Sequence, residues 1–264
     1  RARPEARDVW PTNPPLQASA ATPSGRQART PGAPPSRTPS AVLSRRSPSG
    51  SFGPASPAPA AASRAIEILA IGTSTGGPNA LGQLLKELPA SFPVPIVIVQ
   101  HMPPLFTKML AERLTATTPI RVDEATYGQP LVPGRAYLAP GDQHLVLQRQ
   151  GAQVVALLNR DPPENSCRPA VDVLFRSVGT VYGGATLAVV LTGMGQDGLV
   201  GCQLLRAVGA QILVQDEASS VVWGMPGFVA RAGLADAVKS LTELPLEIAR
   251  RVRSGPPLAS KAGA

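Results

Sequence analysis

From Ile66 onward the apolar residues of this 264-residue chain alternate between two textures. Ile66–Ile71 (interrupted only by Glu67), Ile96–Val99, Thr186–Leu191 and Gln211–Gln215 are apolar at nearly every position, the signature of strands covered on both faces. Between and after them, apolar residues return every three or four positions. That spacing predicts helices over Pro78–Leu88 (Pro in the first turn), Leu105–Leu114, Pro169–Val181, Leu199–Val208 and Leu244–Val252, with a short helix after Pro226. Strand and helix in alternation predict an α/β fold: a doubly wound, mostly parallel sheet of Rossmann-like type. The middle reads differently. Arg135–Leu138, Gln143–Leu147 and Gln153–Leu157 are separated by Gly141-Asp142 and Gln150-Gly151, which predicts antiparallel hairpins added to that sheet.

Before residue 65 neither texture occurs. Residues 1–64 are mostly Pro, Ala, Ser, Thr, Gly and Arg, and hold 13 of the chain's 30 prolines. So few large apolar side chains cannot offset an ordering entropy of ~1–2 kcal/mol per residue. The reading is a disordered Pro/Ala/Ser/Arg-rich linker over 1–64, a folded domain over 65–253 and a disordered tail over 254–264. A basic arm for an acidic partner is the other reading of the first segment.

Charge follows the same division. Of the formal +8, nine Arg against Glu5 and Asp8 place +7 in residues 1–64 and leave +1 for the rest. A folded body that gripped nucleic acid should itself be basic, so no nucleic-acid partner is expected. No apolar run reaches the ~18 residues of a membrane span, so no membrane insertion is expected. The chain opens on Arg1-Ala2 without a signal-peptide core, which reads as a fragment or a processed chain. Cys167 and Cys202 are expected to be reduced thiols in a cytoplasmic protein. With His101 and His144 they show no metal-ligand spacing, which argues against structural zinc.

In an open parallel sheet, chemistry gathers beyond the carboxyl ends of the strands. One predicted strand runs into Gly72-Thr73-Ser74-Thr75-Gly76, a second into His101-Met102-Pro103-Pro104, a third into Thr192-Gly193-Met194-Gly195-Gln196-Asp197-Gly198. The first fits Gly-x-Ser-x-Gly, a sharp strand-to-helix turn that lifts a serine hydroxyl above the sheet. A phosphate-cradling loop or a plain tight turn fits the same residues, although the loop lacks the P-loop lysine. His101 reads as a general base or as a buried structural histidine, and Asp197 as its partner or as a helix N-cap. His144, in a hairpin away from that edge, reads as structural. Taken together, one Ser, one His and one Asp beyond one sheet edge are what a nucleophile relay needs. The order Ser, His, Asp differs from that of α/β-hydrolases.

At these residues the chain closely resembles the catalytic domain of the chemotaxis protein-glutamate methylesterases, the CheB family. The matching stretches are AIGTSTGGP at 70–78, VIVQHMPP at 97–104, YLAPGDQH at 137–144, RPAVDVLF at 168–175, VVLTGMGQDG at 189–198 and VWGMPG at 222–227. The family commonly has Ala where Thr73 stands. The resemblance implies that Ser74 is the nucleophile, His101 the base and then the acid, and Asp197 the group that orients His101. It further implies an oxyanion donor at the Met194 N–H and a positioning role for Thr75. The implied reaction is hydrolysis of γ-glutamyl methyl esters on the cytoplasmic helices of methyl-accepting chemoreceptors, with deamidation of receptor Gln side chains, and without metal or organic cofactor. The expected molecule is a cytoplasmic monomer. Family members normally begin with a receiver domain. No βαβ pattern precedes Ala65, so residues 1–64 are expected to be the interdomain linker of a chain from which the receiver is absent. A non-catalytic receptor- or nucleotide-binding module on the same scaffold is the alternative.

Overall fold

The computed structural model describes residues 64–253, so the predicted linker and C-terminal tail lie outside the described residues. In chain order the elements are β1 (Ile68–Thr73), α1 (Gly77–Lys86), β2 (Ile96–Gln100), α2 (Phe106–Thr117), β3 (Arg121–Glu124), β4 (Gln129–Pro130), β5 (Arg135–Leu138), β6 (His144–Gln150) and β7 (Gln153–Asn159). They continue as α3 (Val171–Tyr182), β8 (Thr186–Val190), α4 (Leu199–Ala207), β9 (Gln211–Gln215), α5 (Met225–Arg231), β10 (Ala237–Lys239) and α6 (Leu244–Arg253). Seven strands form a sheet in the order β10-β9-β8-β1-β2-β5-β3, every neighbouring pair parallel.

Period-two alternation along the strands sorts side chains onto two cores. On β1, Leu69 and Ile71 face a layer with Leu81, Leu84 and Leu85 of α1, Leu110 and Leu114 of α2, and Leu244 and Ile248 of α6. Ile68 and Ala70 face the other layer, with Val171, Leu174 and Phe175 of α3, Leu205 of α4 and Val229 of α5. Both faces of the central strands are therefore dry, which is why their sequences are apolar at nearly every position. The chain leaves β1 toward β2 and later returns to β8 on the other side of β1. The switch point thus lies between β1 and β8, where the loops after them diverge into a crevice.

The middle of the chain corrects one expectation. No hairpin forms at Gly141-Asp142: β5 enters the main sheet in parallel, between β2 and β3. Ala136, Tyr137 and Leu138 are all buried, the pattern of an interior parallel strand rather than of a hairpin arm. The turn at Gln150-Gly151 does make a hairpin, β6 with β7, which joins β4 in a separate three-stranded sheet. β3, β4 and β10 escape the sequence pattern because they are short and partly exposed, without a continuous apolar run.

Candidate active site

Thr73, the last residue of β1, pairs in register with Gln100, the last of β2. Ser74 and His101 therefore leave the sheet side by side, and the His101 N–H donates back to the Thr73 carbonyl at 3.2 Å. One side chain ties the two departures together: Gln100 Nε2 donates to the Ser74 carbonyl at 2.9 Å and to the His101 carbonyl at 3.0 Å. Gly77 leaves room for this amide, since a Cβ there would overlap Gln100 Oε1 and Thr73 Oγ1. The loop after β8 is sewn to the same turn, its Thr192 carbonyl accepting from Ser74 N at 3.0 Å and Thr73 Oγ1 at 2.9 Å. A second buried glutamine, Gln215 at the end of β9, accepts from Thr192 N at 2.8 Å.

Asp197 is 2% exposed and fully engaged. Its Oδ2 accepts from His101 Nε2 at 2.7 Å and from the Val171 N–H at 2.6 Å. Its Oδ1 accepts from the N–H groups of Asp172 and Gly198 and from Asn165 Nδ2, each at 3.0 Å. The carboxylate thus caps a helix, but α3, 26 residues upstream, rather than α4, which Gly198 precedes at φ 95°. Burial opposes its charge, yet the bond from His101 and the N–H groups of Val171 and Asp172 hold its carboxyl below the usual range. Asp172 is pushed the other way, up, by burial and by the charge of Asp197. Asn165 donates to both carboxylates and so separates the two like charges.

For His101, burial disfavours the charged ring, but the bond to Asp197 and a contact with Cys167 outweigh it and raise the imidazole to about 9. Cys167 Sγ stands 3.5 Å from Nδ1, the nitrogen that Asp197 does not hold. The thiol sits on a turn in which Asn165 and Ser166 both have positive φ, 51° and 61°. Arg168, the next residue, anchors that turn by donating from Nε and Nη2 to Asp142 Oδ1 at 3.0 and 2.5 Å.

Of the five residues the sequence singles out, His101 and Asp197 meet directly. Ser74 is half-buried beside them, and among the described residues its hydroxyl has no hydrogen bond to the ring. Thr75 is exposed, and its carbonyl accepts from Thr192 Oγ1 at 2.9 Å. The Met194 side chain is exposed. His144 lies apart and fully buried, Nδ1 accepting from the Ala170 N–H and Nε2 at 3.2 Å from the Pro162 carbonyl. The sequence does not single out Gln100, Cys167 or Asn165 as site residues. For Gln100 a signal existed, a polar residue closing an apolar strand. For Cys167 and Asn165 none did, because their partners are 66 and 32 residues away.

Gly193 brings its backbone close against Ser74 in the crevice. A Cβ there would overlap Met225 Sδ and come within 2.8 Å of Ser74 Cβ. Gly193→Ala is expected to lose ~1–3 kcal/mol of stability, the usual cost of overpacking, and to displace Ser74. Chemical denaturation checks the first effect, and the rate of any reaction at Ser74 the second.

Residues 69–248 match the family model described as CheB methylesterase. Curated relatives named protein-glutamate methylesterase/protein-glutamine glutaminase include one from Trichodesmium erythraeum, 62% identical over 71% of this chain and 53% of its own length. Another, from Maricaulis maris, is 54% identical over 72% of this chain and 47% of its own. The chain spans about half the length of the curated relatives it matches. Among solved structures, the Thermotoga maritima CheB methylesterase catalytic domain aligns with a TM-score of 0.69 at 42% identity, over 70% of this chain and 98% of that one.

Proposed function

The chain belongs to the CheB methylesterase family, and from that premise we propose that it hydrolyses γ-glutamyl methyl esters on the cytoplasmic helices of methyl-accepting chemoreceptors and deamidates receptor glutamines at the same site. The observation that carries the reading is the His101–Asp197 pair, seated on the start of α3 and one register step from Ser74. Because Asp197 accepts the Nε2 proton, Nδ1 carries the lone pair and acts as the base. Ser74 Oγ attacks the ester carbonyl carbon while its proton passes to Nδ1. The tetrahedral oxyanion is stabilised by the Met194 N–H, which has no acceptor among the described residues. Collapse breaks the bond to the methoxy oxygen, which takes the Nδ1 proton and leaves as methanol. Water then attacks the acyl-serine, again giving a proton to Nδ1, and releases a glutamate carboxylate and Ser74. With a glutamine side chain the leaving group is ammonia.

Residues 65–253 are the catalytic domain on this reading, acting as a cytoplasmic monomer, with residues 1–64 as the linker to a receiver domain in the full-length protein. No described helix is long and apolar enough to cross a membrane. Exposed Met194 and Val221, the latter lying against Gly76, offer apolar contacts beside Ser74 for a receptor helix. Methanol released from methylated receptor by the purified chain tests the proposal. A purely regulatory binding module releases none.

The raised His101 pKa sets the pH profile. Only the neutral ring can accept a proton, so kcat/KM is expected to rise with pH up to about 9 and level off above it. Cys167 contributes to the elevation, so Cys167→Ser should move the rise to lower pH. Rates corrected for alkaline ester hydrolysis check both. A profile that is flat from pH 6.5 to pH 9 contradicts the assigned base.

A further inference from the structure

We infer that His101 and Cys167 form a binding site for a thiophilic divalent cation of the zinc class, and that its occupancy switches the hydrolase off. The inference rests on the proposed role of His101 as base, because the cation takes the same nitrogen lone pair that accepts the Ser74 proton.

The geometry is that of a two-point chelate. Asp197 holds the Nε2 proton at 2.7 Å, so the lone pair lies on Nδ1, 3.5 Å from Cys167 Sγ. A zinc ion at about 2.3 Å from a thiolate and about 2.0–2.1 Å from an imidazole nitrogen, at a tetrahedral angle, holds those two atoms about 3.6 Å apart. The two donors already stand at that separation. The donor atoms of His101, Cys167 and Asp197 all lie within 4.8 Å of one another. Asp197, however, is on the far nitrogen of the ring, the place of the outer carboxylate that orients a ligating imidazole and raises its basicity. That carboxylate is immobilised by the N–H groups of Val171, Asp172 and Gly198. Cys167 is held as firmly, its N–H donating to the Glu164 carbonyl at 2.8 Å and its carbonyl accepting from Glu164 N at 3.2 Å.

Binding displaces the protons held on Nδ1 and Sγ, which pass to solvent. Thiolate and neutral imidazole then share the ion, and water fills its remaining positions. Two protein ligands rather than four make the site reversible. The sulfur favours zinc-like ions over Mg²⁺ or Ca²⁺, which take oxygen ligands. His101 is only 12% exposed and Cys167 half-buried, so the ion would sit at the floor of the crevice where the ester must enter.

Cobalt(II) is the probe for binding, because a cobalt–thiolate bond gives a charge-transfer absorption whether or not the protein is active. The band is expected in the wild-type chain and in Ser74→Ala, and is lost in Cys167→Ser. Cys202 is fully buried, so it supplies no competing thiolate. In parallel, Zn²⁺ should inhibit wild-type ester hydrolysis, with recovery on chelation and no inhibition by Mg²⁺. Cys167→Ser, measured against its own metal-free rate, should need ~10–100-fold more Zn²⁺ for the same inhibition, a shift as large as loss of an outer-shell partner gives elsewhere. Absence of the band in wild type, its persistence in Cys167→Ser, or equal Zn²⁺ sensitivity of the two proteins overturns the site. Full activity in Ser74→Ala would instead overturn the proposed reaction while the cobalt band still reports on the cation.

Discussion

Ser74→Ala is expected to lower kcat for glutamyl ester hydrolysis by on the order of 10⁶-fold, the scale seen when a serine that acts as one unit with its histidine is removed. The loss should fall on kcat, because in the proposed reaction the hydroxyl forms a covalent bond and contributes little to holding the ester. Stability should barely move. Ser74 is half-buried, and its turn is held by backbone groups, the Ser74 N–H on the Thr192 carbonyl and the Ser74 carbonyl on Gln100 Nε2. An unfolding free energy within about 0.5 kcal/mol of wild type, measured in urea beside single-turnover methanol release, separates the chemical role from a structural one. Residual turnover within tenfold of wild type would remove Ser74 from the mechanism.

Asp197→Ala is expected to fail on both counts at once. The carboxylate accepts from His101 Nε2, from Val171, Asp172 and Gly198 N–H groups and from Asn165 Nδ2. Truncation leaves these donors in a nearly dry space, two of them in the first turn of α3. Breaking a buried charged network of this kind costs about 3–5 kcal/mol. Relief of the repulsion on Asp172, whose own carboxyl is pushed up by burial and by Asp197, offsets a small part. The sign of the pH dependence follows from the lowered Asp197 pKa. Its stabilisation is complete above the ordinary carboxylate range and is lost as pH falls through the depressed value. The gap in unfolding free energy between wild type and Asp197→Ala should therefore narrow in acid.

Asp197→Asn keeps one acceptor oxygen and nearly the same shape, so it separates the two roles. Its amide hydrogens face the Nε2 proton of His101, which drives the ring to the other tautomer and removes the lone pair from Nδ1. A loss of about 10⁴-fold in kcat, with a smaller loss of stability than in Asp197→Ala, is the expected pattern. Equal stability losses in the two variants with activity retained in Asp197→Asn would reduce Asp197 to a cap.

Much of the frame is legible in the residues themselves. Strands such as Ile96–Val99 and Leu187–Leu191 are apolar at every position because both their faces are covered. Arg135–Leu138 shows the limit. Its apolar residues are consistent with a hairpin arm or an interior strand, and only the competition among partners places it between β2 and β3. Edge strands such as Arg121–Glu124 carry charges toward solvent and so lose the signal altogether.

The candidate chemistry divides along the same line. Local sequence alone determines that a small-residue turn carries Ser74, that a histidine ends an apolar strand, and that a Gly-rich loop carries Asp197. Each is a property of a few consecutive residues. Which helix Asp197 caps, that one glutamine holds the carbonyls of both Ser74 and His101, that Asn165 stands between two carboxylates, and that Cys167 meets the free nitrogen of His101 were decided only by tertiary structure. Such contacts join residues 26 to 66 positions apart, apart from the Gln100–His101 and Asn165–Asp172 bonds. Hydrophobic patterning specifies which face of an element is buried. It carries no information on which polar groups meet where the ends of separate elements converge, and there the hydrogen-bond demands of buried donors and carboxylates select the pairing.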